Sequence, residues 1–91
     1  MISKYLVPLD EVAKVRDEHL AFLEGLVEQG VVVAAGRQDP PVGGLVLVDV
    51  ADEARAFEVM AQDPYVRNGV AEYEAIGWSP TVGVLKSYLK G

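Results

Sequence analysis

The chain has 91 residues, 51% of them hydrophobic, with eight Lys and Arg against fourteen Asp and Glu and a formal charge of -6. That length suits one domain, and a domain so small buries only about two-thirds of its unfolded surface, which leaves a motive for dimerisation. The acidic balance and scattered basic residues exclude nucleic acid and anionic membrane surfaces as partners, and the absence of Cys excludes disulfides, thiolate catalysis and cysteine-ligated metals while fitting a cytoplasmic location.

"MISKYLVPL" alternates through Ile2, Tyr5 and Val7 and predicts a first strand, stopped near Pro8. It lacks a basic segment followed by a long apolar stretch, so no signal peptide is expected. No apolar run approaches the roughly 20 residues of a membrane span. From Asp10 to Gln29 the period becomes helical: Val12, Val15, His19, Phe22, Leu23 and Leu26 recur at steps of three and four. Asp10 and Glu11 suit the positive end of that helix and Gly30 suits its stop.

"VVVAAGRQ" is a β-branched run that reads as a buried strand, "DPPVGG" as a turn and "GLVLVDV" as an antiparallel partner. Asp52 is a candidate N-cap for a second helix from Glu53 to about Gln62. Asp63-Pro64 ends it, because the residue before a proline is pushed out of the helical region. "PYVRNGV" reads as a turn or short helical hook and "AEYEAIGWS" as a fourth strand. "PTVGVLKSYLKG", residues 80–91, is a tail in which Leu85, Tyr88 and Leu89 suit a short docked helix or a strap across a neighbouring subunit.

The order β-α-β-β-α-β predicts an α+β, ferredoxin-like fold: a four-stranded antiparallel sheet with both helices on one face, in a single domain over residues 1–91. The strands are apolar on both faces, so the uncovered face calls for a partner. A homodimer with sheets packed face to face is the simplest arrangement.

The one histidine falls on the apolar stripe of the first helix. His19 therefore points into the domain, either as a structural histidine held by one hydrogen bond or as a reactive one. Asp63 follows Ala56, Val59 and Met60 at spacings of seven, four and three, which turns its carboxylate inward if the helix continues. The competing reading is an exposed Asx-turn before Pro64. The two readings are linked, since both helices lie on one sheet face and a buried Asp needs a partner. A carboxylate on one ring nitrogen fixes the tautomer and supports the charged form, while the other nitrogen takes a proton. Arg16, one turn before His19, either holds a ligand oxygen near the imidazole or pairs with an acid on its own helix. Trp78, Pro80 and Tyr65 are candidates to wall a pocket, with packing the stronger reading for Tyr65. One His and no Cys cannot make a zinc site, the glycines spell no phosphate loop and the serines lack a nucleophile elbow. No metal and no cofactor are implied.

"RDEHLAFLEGLVEQGVVVAAG", "DPYVRNGV" and "YEAIGWSP" together resemble the YCII-related (YciI-like) family. The shared pattern is an Arg three before a His, a Leu-rich helix ending in Gly, a buried strand closing on Ala-Gly, an Asp-Pro-Tyr and a late aromatic followed by Pro. The resemblance implies a dimeric α+β-barrel and a catalytic dyad of His19 and Asp63, with Arg16 as the arginine paired with that His and Pro80 as the late proline near it. The activity known in the family is removal of chloride from a chlorinated hydroxyquinol, which starts with proton abstraction by the dyad. Two departures stand out. Gly43 and Gly44 occupy the place where many members carry a small hydroxyl residue, and the tail beyond Pro80 is longer.

Two functions compete. In the first, a cofactor-independent enzyme acts on a small cyclic or aromatic substrate by general-base elimination or isomerisation, with His19 and Asp63 catalytic and Arg16, Trp78 and Pro80 binding substrate. In the second, a non-catalytic dimeric module binds a small metabolite or stabilises a partner. A cofactor-free oxygenase of the related barrel type is a third, weaker option.

Overall fold

A computed structural model describes residues 1–88. Four strands, β1 (Ile2–Tyr5), β2 (Val32–Arg37), β3 (Gly44–Val48) and β4 (Ala71–Glu74), form one antiparallel sheet in the order β2-β3-β1-β4. The helices are α1 (Leu9–Ala13), α2 (Arg16–Glu28), α3 (Glu53–Met60) and the short α4 (Pro64–Arg67), with a 3₁₀ turn at Val84–Tyr88. This is the expected ferredoxin-like α+β fold. Residues 89–91, including Leu89 of the tail, lie outside the described residues.

The expected first helix is two helices. At the junction Lys14 and Val15 donate to the carbonyls three residues back, of Glu11 and Val12, and α2 restarts with His19 donating to Val15. No Gly or Pro causes the break. Tertiary packing does: α1 drives Val12, fully buried, into one cluster with Tyr65, Val70 and Ala71. The longer α2 drives Leu23 into another with Val32, Val46, Val59 and Met60. Each such side chain contributes about 1.5–3 kcal/mol on burial, so satisfying both clusters outweighs the few hydrogen bonds lost at the break.

The end of α2 follows the sequence. Gly30 has φ 76°, Val31 N–H donates to Leu26 O at 2.9 Å and Gly30 N–H to Val27 O at 3.0 Å, the paired bonds of a Schellman stop. Asp52 caps α3, accepting from Arg55 N–H at 2.8 Å. The fourth strand is shorter than expected. β4 pairs only with β1 and their ladder ends at Ile2 opposite Glu74, so residues 75–79 have no strand to join.

Register assigns the faces. Ser3, Tyr5, Tyr73, Val46 and Val48 face the helices, and Val46 is buried. Leu45 and Leu47 therefore face the other way, and Leu45 is 52% exposed. Across β1 and β4 that helix-free face carries Lys4, Glu72 and Glu74 beside Ile2, so its apolar surface is concentrated in the β2–β3 half. At the head of β3 a Cβ on Gly43 would lie 1.8 Å from the Ser3 carbonyl oxygen, so no side chain fits where the hairpin crosses β1.

Candidate active site

Asp63 follows Met60, the last residue of α3, by three positions, and its backbone (φ -59°, ψ 127°) is not helical. It is the N-cap of α4, with Pro64 in the first helical position. The acid therefore lies at the favourable, positive end of a helix rather than at the negative end of α3. Its Oδ1 accepts from Tyr65 N–H at 2.9 Å, the Asx-type bond weighed for an exposed acid, yet the residue is 0% exposed. The Asx-type bond of the competing reading forms, but the exposure that went with it does not, and the carboxylate faces inward.

The same Oδ1 meets His19 Nδ1 at 2.8 Å, and Oδ2 accepts from the Tyr73 hydroxyl at 2.6 Å. Three donors converge on one sealed carboxylate, which offsets the cost of burying its charge. An ionised carboxylate only accepts, so the proton of the histidine bond sits on Nδ1 and the lone pair on Nε2. The imidazole lies flat on the Tyr65 ring, centroids 3.8 Å apart and planes 4° apart, and Tyr5 meets Tyr65 edge-on at 6.1 Å. With one face stacked and Nδ1 bound, Nε2 is the nitrogen left for chemistry.

His19 lines a cavity of about 440 Å³ between α2 and the sheet. Arg16, the first residue of α2, lines it one turn away, and its guanidinium sits beside the Tyr65 hydroxyl. Burial pushes the Tyr65 phenol up and Arg16 opposes that rise. The helix-internal pairing considered for Arg16 does not form: Glu11 is taken by Lys14 at 2.9 Å, and no salt bridge among the described residues involves Arg16. Ser3, Tyr5, Tyr73, Glu24 and Arg37 complete the polar lining. Ser3 Oγ accepts from Gly44 N–H at 2.7 Å, so β1 places a hydroxyl beside the strand start where Gly43 and Gly44 have none.

The structure brings His19, Asp63 and Arg16 together, but not Trp78 and Pro80. These line a second cavity, about 340 Å³, with Met1, Val33 and Leu47. β4 starts beside Tyr5, near the dyad, and runs to Ile2, so the chain after Glu74 leaves toward the far end of the sheet. Trp78 is 60% exposed there and Pro80 is buried. Within one chain Tyr65 both packs in the core and walls the His19 cavity, and its aromatic companions there are Tyr5 and Tyr73 rather than Trp78. Among the described residues no three His, Cys, Asp or Glu side chains are grouped to hold a metal ion, and no helix is long and apolar enough to cross a membrane.

Tyr73 was hidden in the sequence because an aromatic in an alternating strand reads as core. Burial first, then its bond to Asp63 and that residue's charge, hold its phenol well above the ordinary range. The folded chain thus keeps a proton that the unfolded chain releases near pH 10. The resulting stability is fully present below that pH and is lost as pH rises past it, by up to about 1.4 kcal/mol per pH unit. Tyr65, also raised, acts in the same direction. Urea unfolding between pH 9 and about 11 should show a slope that Tyr73→Phe reduces; an unchanged slope would mean that Tyr73 does not hold its proton through the fold.

No curated protein and no solved structure matches the chain. A family model does: that of the YCII-related domain, over residues 1–79. The matched span runs from β1 past β4, holds every residue of the His19 cavity and stops one residue short of Pro80. A match over most of the length, on the elements that build the sheet and carry the buried pair, leaves no ambiguity of descent: the chain belongs to the YCII-related family.

Proposed function

We propose that the chain is a cofactor-independent enzyme of the cytoplasm that removes a proton from a small cyclic or aromatic substrate. The observation that carries this reading is the 2.8 Å bond from His19 Nδ1 to a carboxylate sealed from solvent, which leaves Nε2 as a base at a cavity large enough for one ring. Nε2 takes the proton of a substrate C–H. The electron pair left on carbon forms a double bond and, where the adjacent carbon bears chloride, expels it as the anion. Without a leaving group the proton returns at another position and the result is isomerisation. Asp63 steadies the imidazolium and Arg16 steadies negative charge on a substrate oxygen.

The test is deuterium wash-in. Chlorinated hydroxyquinols and small lactones are incubated with the chain in D₂O, and unreacted substrate is recovered. Deuterium should enter at the abstracted position with the parent and not with His19→Ala. Equal exchange by both would remove His19 from the role. The rival reading, a non-catalytic metabolite-binding or partner-stabilising module, predicts ligand binding indifferent to pH between about 5.5 and 8, where an imidazole titrates.

The apolar half of the helix-free face, with Leu45 and Leu47, supports a homodimer closed through that face. Sedimentation equilibrium should give twice the chain mass, and Leu45→Lys should give a monomer. A parent that stays monomeric at about 100 µM, roughly a hundred times a Kd of 1 µM (about 8 kcal/mol of association), would end that reading.

A further inference from the structure

The His19 cavity holds two cations that the dyad does not use. The chain as a whole is strongly acidic, yet Arg16 and Arg37 both line this one cavity. Two basic residues elsewhere are neutralised locally, Lys14 by Glu11 at 2.9 Å and Arg55 by Glu58 at 3.1 Å. No salt bridge among the described residues involves either cavity arginine. They come from opposite walls, Arg16 from the start of α2 and Arg37 from the end of β2, where it pairs with Gly44. Nearby acids do not cancel them. Asp63, behind His19, is sealed and saturated by three donors, and Glu24, the one carboxylate of the cavity lining, forms no salt bridge with either arginine.

The floor beneath the arginines is small. Ala35, Gly36 and Gly44 give the sheet side no bulk there, while Leu20, Leu23, Val27 and Tyr5 supply apolar wall. A ring on such a floor has its edge toward His19 and a substituent toward the two guanidiniums. Planar, forked donors match a carboxylate, which takes two parallel hydrogen bonds from one guanidinium and a further one from a second.

We propose that the site is selective for a ring compound bearing a carboxylate, and that Arg37, with Arg16, sets this specificity. The proposal rests on the general-base reading of His19 and names the substrate class for it. The carboxylate anchors the ring so that a C–H lies at Nε2, and Arg37 acts in binding rather than in proton transfer.

A single histidine makes the test clean, since its imidazole Cε1 proton gives one resolved signal in the NMR spectrum. The parent chain is titrated with benzoate, and separately with benzamide and phenol, of the same ring size and uncharged at pH 7. Benzoate should shift the His19 signal saturably and bind at least tenfold more tightly than either neutral probe. Arg37→Gln should remove that preference by weakening benzoate alone about tenfold, and Arg37→Lys should restore part of it. An unchanged thermal transition confirms that the variants fold. Benzamide binding as well as benzoate, benzoate affinity unaffected by Arg37→Gln, or no shift with any probe would each overturn the carboxylate assignment. The deuterium assay with His19→Ala decides the proton-transfer reading separately. A chain that loses exchange in that variant but shows no preference for benzoate keeps its base and loses only this substrate class.

Discussion

Replacing His19 by Ala is expected to lower kcat/KM about 10²–10⁴-fold on whichever substrate shows deuterium exchange, the range in which a positioned general base contributes. The loss should fall on kcat, because Nε2 acts on a proton in flight while binding is left to the arginines and the apolar wall. The fold should survive. The variant gives up one hydrogen bond and the stack on Tyr65, but Asp63 keeps its bonds from Tyr65 N–H and the Tyr73 hydroxyl. A cost of about 1–2 kcal/mol follows, visible as a lowered but cooperative thermal transition. Steady-state kinetics of the two proteins, with less than a threefold difference in kcat, would leave His19 as a packing residue.

Some of this was legible in the residues themselves. The runs at 31–38 and 44–50 announced paired strands because β-branched residues suit a pleated surface and "DPPVGG" suits the turn between them. The inward direction of His19 followed from its place among Val15, Phe22 and Leu23, since local periodicity fixes a helix face. Asp63 came out inward for the wrong local reason. The spacing from Met60 assumed that α3 continues, whereas the helix stops and the capping of α4 turns the carboxylate in.

What stayed hidden depends on long-range register. Nothing near Tyr73 or Arg37 says which strand lies beside which, so neither the second bond on Asp63 nor the second guanidinium of the cavity was readable. Trp78 and Pro80 illustrate the same limit, because a residue's position after a strand does not say which end of the sheet that strand points to. The break at Lys14 and Val15 belongs with these. It carries no helix-breaking residue and is imposed by packing into two separate hydrophobic clusters.

Truncating Asp63 should be the most damaging change to the fold. Asp63→Ala strips the acceptor from three donors in a place with no solvent access, leaving Tyr65 N–H, the Tyr73 hydroxyl and His19 Nδ1–H to find partners. Each buried donor left without a partner costs about 1–3 kcal/mol, so three of them together cost at least about 3 kcal/mol, a large share of the roughly 5–15 kcal/mol that holds a domain together. Much of the chain should therefore be unfolded or aggregation-prone at 37 °C by circular dichroism. That result alone would fit a purely structural acid, so Asp63→Asn carries the decision. Its amide oxygen can still accept from Tyr65 N–H and His19, and the Tyr73 hydroxyl, which both gives and takes hydrogen bonds, can turn to accept from the amide nitrogen. The fold should then lose only about 1–2 kcal/mol, a fall of roughly 5–15 °C in melting temperature for a domain this small. The amide has no charge to set against an imidazolium, so kcat should still drop about 10²–10⁴-fold if His19 is a base. A folded Asp63→Asn protein with parental turnover would reduce the carboxylate to a helix cap with a well-placed neighbour; a folded and inactive one would show that its charge is used in the reaction.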